Sequence, residues 1–118
     1  MELNHKLLDE NVVAQFSSQQ INTYFSLYLK NAQSLIESLQ KDIEANNLEA
    51  ARQRAHKLKG SSMVVGATAM KAVSEEIESE ARSKHPIPSS KIMELKNEFN
   101  QLASLLQQRY NLKYNRGV

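Results

Sequence analysis

The feature that most limits the possible folds of this chain is an apolar periodicity that continues through long stretches with few helix breakers. Only three glycines and two prolines occur in 118 residues. Within each stretch, apolar side chains recur at alternating steps of three and four, which places them along one side of an α-helix. Because glycine and proline are the strongest punctuation signals in a sequence, their scarcity favours a few long helices over many short strands. The chain is therefore expected to be all-α.

The breaks in this periodicity predict the helix ends. A short amphipathic helix is expected between Leu3 and Phe16, and the one connector that contains both prolines spans residues 84–90. Ser17 with Gln20, and Asn46 with Glu49, have the spacing of capping boxes. The long helices are predicted over residues 20–45, 48–65, from after Gly66 to Ala81, and 90–110, the last one capped by Ser89 or Ser90.

Short connections make consecutive helices antiparallel. The predicted fold is therefore an antiparallel up-down-up-down four-helix bundle with a short extra N-terminal helix. We expect residues 1–118 to form a single domain, with its core over about 8–110 and a frayed, mildly basic tail at 111–118. Tyr24, Leu27 and Leu29 fall outside the strict stripe of their helix, so they either widen its buried face or are exposed for a partner.

Composition excludes several classes of protein. The net charge is only +2, without the clustered basic residues that nucleic-acid binding usually needs. There is no cysteine for disulfides or thiolate chemistry. No apolar run approaches the length of a membrane span, and residues 1–15 lack the apolar core of a signal peptide. We expect a soluble, cytoplasmic monomer. The chain begins with Met1 and suggests a free-standing protein, although a domain cut from a hybrid kinase would look the same.

The chemically most informative segment runs from Ala51 to Ser62 and contains His56. Lys59 follows His56 at i+3 and Gly60 at i+4, so the three residues share one side of a helix. A neutral imidazole is a good nucleophile toward phosphorus near neutral pH. Lys59, expected to be solvated, places a compact positive charge where phosphate oxygens would lie. This combination is suited to holding a phosphoryl group on the imidazole.

Gly60 needs an explanation, because glycine inside a helix costs about 0.5–1 kcal/mol relative to alanine. One explanation is room beside His56 for the active site of another protein. The other is close packing against a neighbouring helix. Arg52 and Met63 lie on the same stripe as His56 and are predicted to contact a partner.

The sequence lacks the residues that most classes of enzyme require. There is no glycine-rich Walker loop to bind ATP, and no HExxH zinc motif. No Ser-His-acid arrangement follows from the spacing. His5 and His85 are most simply a solvated terminal residue and a loop residue. No cofactor and no bound metal are predicted for this chain.

The segment His56-Lys57-Leu58-Lys59-Gly60-Ser61-Ser62, with Gly66 ten residues after the histidine, resembles the histidine-containing phosphotransfer (HPt) domains of multistep two-component phosphorelays. The resemblance covers the helix order over roughly residues 8–110. It implies a four-helix bundle with an exposed, phospho-accepting His56 on its second long helix. It also implies a phosphocarrier rather than an enzyme. The implied partners are response-regulator receiver domains and a hybrid sensor histidine kinase, and the receiver supplies Mg²⁺.

Two more positions follow from this resemblance. Family members often have Gln or Glu twenty-two residues after the histidine, where it accepts a hydrogen bond from the inner ring nitrogen; an ungapped count assigns Glu78 to that role. Such an acceptor would make the outer nitrogen the nucleophile. Some members have a basic residue four positions later, here Arg82, which would contact the partner. Alternatively, Glu78 and Arg82 form only an i,i+4 surface pair.

Two functions from different classes remain open. The first is a phosphocarrier that accepts a phosphoryl group on His56 from a receiver aspartate and passes it to another receiver. The second is a helical-bundle adaptor, or a degenerate HPt domain, that binds a receiver or kinase without phosphotransfer. Intact His56, Lys59 and Gly60 favour the first.

Overall fold

The structure, a computed structural model, describes residues 6–114, and all its regular elements are helices. The bounds lie within two residues of those predicted for the four long helices. Within residues 6–114, no helix is both long and apolar enough to cross a membrane. The helices are α1 (Glu10–Val13), α2 (Ser18–Glu44), α3 (Leu48–Val65), α4 (Thr68–Arg82) and α5 (Ser89–Tyr110).

The four long helices form the predicted bundle. Helix α2 packs against α3 and α5, and α4 packs against the same two helices. The connections between successive long helices are short, so neighbours run antiparallel. Their buried apolar faces meet in one core, whose fully buried large side chains include Phe25, Leu29, Leu39, Leu58, Met70, Ile77, Leu95, Leu102 and Leu106.

Helix α3, which contains His56, packs against both α2 and α4. Three small residues of α3, Ala51, Ala55 and Ser62, are fully buried. The hydroxyl of Tyr28 lies 2.6 Å from Oγ of Ser62. Burial raises the pKa of Tyr28, so its hydroxyl remains protonated and keeps this hydrogen bond. The small residues of α3 therefore have the packing role that their spacing predicts.

The helix caps match the predictions only in part. The capping box of Ser17 and Gln20 is confirmed, with both reciprocal hydrogen bonds present at 3.1 and 2.8 Å. The box predicted at Asn46 is wrong, because Asn46 has a positive φ of 54° and the cap of α3 is Asn47. The serine cap of α5 is also wrong: extended Pro88 directly precedes the helix and no side chain caps it.

The leading segment lies against the turn between α3 and α4. The predicted helix from Leu3 is shorter among the described residues, where it covers Glu10–Val13; Leu3 and His5 lie outside them. The amide of Asp9 donates to the carbonyl of Gly66 at 2.7 Å. Gly66 has a φ of 76°, and a Cβ there would lie 2.9 Å from Cβ of Val12. Glycine is therefore needed both for the backbone and for the close contact.

The beginning of the tail is packed, which corrects the prediction of fraying for residues 111–114. Asn111 turns the chain with a left-handed backbone, and Leu112 is only 1% exposed. The hydroxyl of Tyr114 donates to the carbonyl of Leu29 at 3.2 Å, and its ring packs edge-on against Phe99. Apolar burial outweighs the basic composition here. Residues 115–118 lie outside the described part.

Candidate functional site

His56 is exposed because of its place on α3. The buried side of this helix is formed by Ala51, Ala55, Leu58, Ser62 and Val65. His56 follows Ala55, so it is rotated by about 100° from that buried stripe. Its side chain is 63% exposed. The imidazole is therefore accessible to a partner protein, as the resemblance implies.

A buried carboxylate of α4 lies directly beside this imidazole. Glu78 is 2% exposed. Its Oε2 accepts a hydrogen bond from Nδ1 of His56 at 2.8 Å and a second one from Arg82 at 2.7 Å. Its Oε1 accepts from Nζ of Lys59 at 2.7 Å. Glu78 therefore joins three predicted site residues, and its contact with Arg82 is more than a surface pair.

The hydrogen-bonded neighbours keep Glu78 ionised. Burial by itself raises the pKa of the Glu78 carboxyl, but hydrogen bonds from Lys59 and His56 outweigh it, so the pKa lies below its ordinary value. An ionised carboxylate can only accept a hydrogen bond, so the hydrogen of neutral His56 lies on Nδ1. The lone pair of Nε2 is then available at the exposed edge of the ring. This is the tautomer needed for attack by the outer nitrogen.

Lys59 is not the solvated side chain that the sequence predicts. Its side chain is only 22% exposed and its ammonium group binds Glu78. The physical reason is the buried negative charge on α4, which attracts the nearest cation of α3. Stabilisation of a phosphoryl group by Lys59 stays a prediction, and it requires that this ammonium shift from Glu78.

We expect Lys59→Ala to reduce the free energy of unfolding by about 1–2 kcal/mol, because it removes a charged hydrogen bond from a buried carboxylate. We expect no larger reduction in the free energy of unfolding, because His56 and Arg82 still bind Glu78 in this variant. The measurement is urea unfolding, with Lys57→Ala as the matched control. Lys57 is exposed on the same helix and its replacement should change the free energy by less than about 0.5 kcal/mol. Equal stabilities for the two variants would show that the ammonium does not support the buried carboxylate.

Gly60 faces open space. A Cβ built on Gly60 has no atom within 4 Å beyond its own helical neighbourhood. Close packing against a neighbouring helix, one of the two explanations for this glycine, is therefore wrong. The remaining explanation is that Gly60 leaves room beside His56 for the active site of another protein.

The surface beyond Gly60 is apolar. Met63 is 55% exposed, and Val64 is 73% exposed. Tyr24 and Leu27 on α2 are 40% and 58% exposed, and they border the same groove as Val64. We name Tyr24, Leu27, Met63 and Val64 the apolar flank. The sequence indicated three of its members; Val64 was missed, although its position four residues after Gly60 places it off the buried stripe.

Arg52 lies one turn before His56 and is held by its own helix. Its guanidinium binds Glu49 through two hydrogen bonds, at 3.1 and 2.6 Å. Arg52 is partly exposed and Glu49 is exposed, so the contribution of this pair to stability is small. A contact between Arg52 and a partner stays a prediction.

The described residues offer no other comparable histidine. His85 binds Glu80 at 3.2 Å, but both side chains are largely exposed. His5 lies outside residues 6–114. Within that range, no three acidic, histidine or cysteine side chains are grouped so that they could hold a metal ion.

Comparisons with known proteins give the family and the fold of this chain. The family model described as the Hpt domain matches residues 23–108. A similar solved structure is the crystal structure of histidine-containing phosphotransfer protein B (HptB) from Pseudomonas aeruginosa PAO1, with a TM-score of 0.83. The alignment has 22% identity and covers 92% of this chain and 97% of that chain, which supports the shared bundle fold. No curated protein matches the chain. Because the family match extends over most of the chain and includes the segment around His56, the chain belongs to the Hpt domain family.

Proposed function

We propose that this protein accepts a phosphoryl group on Nε2 of His56 from a receiver-domain aspartate and passes it to the aspartate of another receiver. The observation that best supports this proposal is the hydrogen bond between Nδ1 of His56 and buried Glu78. It combines an exposed nucleophile with a buried group that sets its tautomer. A histidine with only a structural role would not need its reactive edge in solvent.

The transfer step uses the lone pair of Nε2. This nitrogen attacks the phosphorus of the receiver's acyl phosphate, the phosphorus–oxygen bond breaks, and the aspartate leaves as a carboxylate. The Nδ1 hydrogen stays in place, so the phosphorylated ring gains positive charge beside the Glu78 carboxylate. The second transfer reverses these bond changes on another receiver. Mg²⁺ and most other catalytic groups belong to the receiver in this proposal.

The surface around His56 is suited to docking a folded receiver domain. Three members of the apolar flank, Tyr24, Leu27 and Val64, border a groove between α2 and α3, and Met63 lies on the His56 stripe of α3. The charged side chains of Lys59 and Arg82 lie on the α4 side. Apolar contacts supply binding energy and charges orient the complex. Exposed Gly60 adds clearance next to the imidazole. We propose receiver domains and a hybrid sensor kinase as partners of a cytoplasmic monomer.

The test is labelling from phosphorylated receivers. The protein is incubated with labelled ATP alone, or with Mg²⁺ and each of a panel of labelled phospho-receivers from the same cell. We expect no label from ATP alone and an acid-labile, alkali-stable label from at least one receiver. Label from ATP alone would contradict the proposal. Receiver binding without any label would instead support the adaptor that the sequence left open.

A further inference from the structure

The carboxylate of Glu78 binds two cations beside the reactive imidazole. Lys59 binds Oε1, whereas Arg82 and His56 share Oε2. Lys59 lies one turn after His56 on α3, and Arg82 contacts the same oxygen as the imidazole. These two cations are therefore joined to the imidazole through a single carboxylate.

A phosphoryl group on His56 would compete with Glu78 for these cations. It adds about −1.5 to −2 charges and three strong acceptor oxygens. Lys59 or Arg82 can pair fully with those oxygens only by weakening a bond to Glu78. Glu78 is 2% exposed, and a buried carboxylate that loses its partners is destabilised. The competition raises the free energy of the phosphorylated state.

We infer that Glu78 withholds Lys59 and Arg82 from the phosphoryl group and so keeps the group-transfer potential of phosphorylated His56 high. This inference rests on the proposed function. A carrier has to release the group as readily as it accepts it, and a phosphohistidine stabilised by two free cations would be a poor donor. Glu78 acts here as a positioning residue, because it works through Lys59 and Arg82 rather than on the phosphorus.

The variant that isolates this effect is Glu78→Gln. The amide has nearly the same shape, and its carbonyl oxygen can still accept from Nδ1 of His56. It lacks the charge that holds Lys59 and Arg82. His56 is loaded with potassium phosphoramidate, whose phosphorus–nitrogen bond breaks as the bond to Nε2 forms and ammonia leaves. The half-life of the phosphohistidine in water is then measured; during decay, water attacks phosphorus, the Nε2 bond breaks and inorganic phosphate is released.

We expect the half-life in Glu78→Gln to be about three- to tenfold longer than in the wild type. Adding Lys59→Met and Arg82→Met to Glu78→Gln should return the half-life to within about twofold of the wild type, since both cations that Glu78 binds are then absent. The matched control is Glu75→Gln, also on α4, which removes an exposed carboxylate that lies 3.8 Å from Lys71. The half-life of the phosphohistidine in Glu75→Gln should equal that in the wild type.

Three results would overturn the inference: an unchanged or shorter half-life in Glu78→Gln, a longer half-life that persists without both cations, or the same gain in Glu75→Gln. Thermal unfolding of each variant checks the fold. If Glu78→Gln does not fold, Arg82→Met alone decides. Arg82 is 61% exposed, and in the wild type Glu78 already keeps it from the phosphoryl group. The half-life of the phosphohistidine in Arg82→Met should therefore stay within about twofold of the wild type. A larger decrease would contradict the inference. Because loading needs no receiver, failure of receivers to transfer would contradict the proposed function separately.

Discussion

His56→Gln should abolish receiver-dependent phosphorylation, by at least about a thousandfold, while the domain stays folded. The glutamine amide nitrogen is not a nucleophile, so it cannot form the bond to phosphorus. Its amide hydrogens can still donate to Glu78, and the replaced side chain is 63% exposed. The free energy of unfolding should therefore change by less than about 1 kcal/mol. Transfer of label from a phospho-receiver and thermal unfolding measure the two effects.

The matched control for this variant is His85→Gln. His85 is also largely exposed and also binds a glutamate, but Glu80 is a surface residue. His85→Gln should be labelled at the wild-type rate. Label retained in His56→Gln would show that His56 is not the acceptor. Label lost in His85→Gln would show that the loss in His56→Gln is not specific to His56.

Gly60→Gln should change stability and transfer in opposite directions. Glutamine is a better helix former than glycine, and a Cβ at this position meets no atom within 4 Å, so the free energy of unfolding should rise by about 0.5–1 kcal/mol. The longer side chain would project over the surface where a receiver brings its aspartate to Nε2. Because in-line transfer tolerates little displacement, we expect the transfer rate to fall by about a hundredfold.

Gly60→Ala separates helix propensity from obstruction. A methyl group should stabilise the helix to a similar extent, whereas transfer should stay within about threefold of the wild type. The measurements are thermal unfolding and receiver-dependent labelling of both variants. A destabilised Gly60→Gln protein, or a stable one that transfers at the wild-type rate, would contradict this explanation of the glycine.

The helices could be predicted because their signal is local and repeated. The three-four spacing on α3 identified Ala51, Ala55 and Ser62 as buried, and Gly66 as the end of the helix, as the structure shows. Features that depend on tertiary contacts were missed. Leu112 follows the last helix in a polar, basic tail, and only the return of the chain onto the bundle explains its burial.

In the candidate site, too, the features that depend on local spacing could be predicted and those that depend on tertiary contacts could not. His56, Lys59 and Gly60 could be selected from the spacing on one helix, and Glu78 from a count of twenty-two residues along the chain. The binding of Lys59 to Glu78 could not be foreseen, because Glu78 belongs to an acidic run whose other members are exposed or partly exposed. One local signal was available: Glu78 lies eight residues after Met70 and three before Ala81, which is helical spacing from two apolar residues of α4.

The most direct test of the central claim is to identify the ring nitrogen that is phosphorylated. The protein is labelled with ¹⁵N in its histidines and phosphorylated by a receiver, and the nitrogen–phosphorus coupling is recorded by NMR. Glu78 occupies the Nδ1 side of His56, so we predict a single phosphohistidine with phosphorus bonded to Nε2 of this residue. Phosphorus on Nδ1 of His56, or on any other residue, would contradict the account.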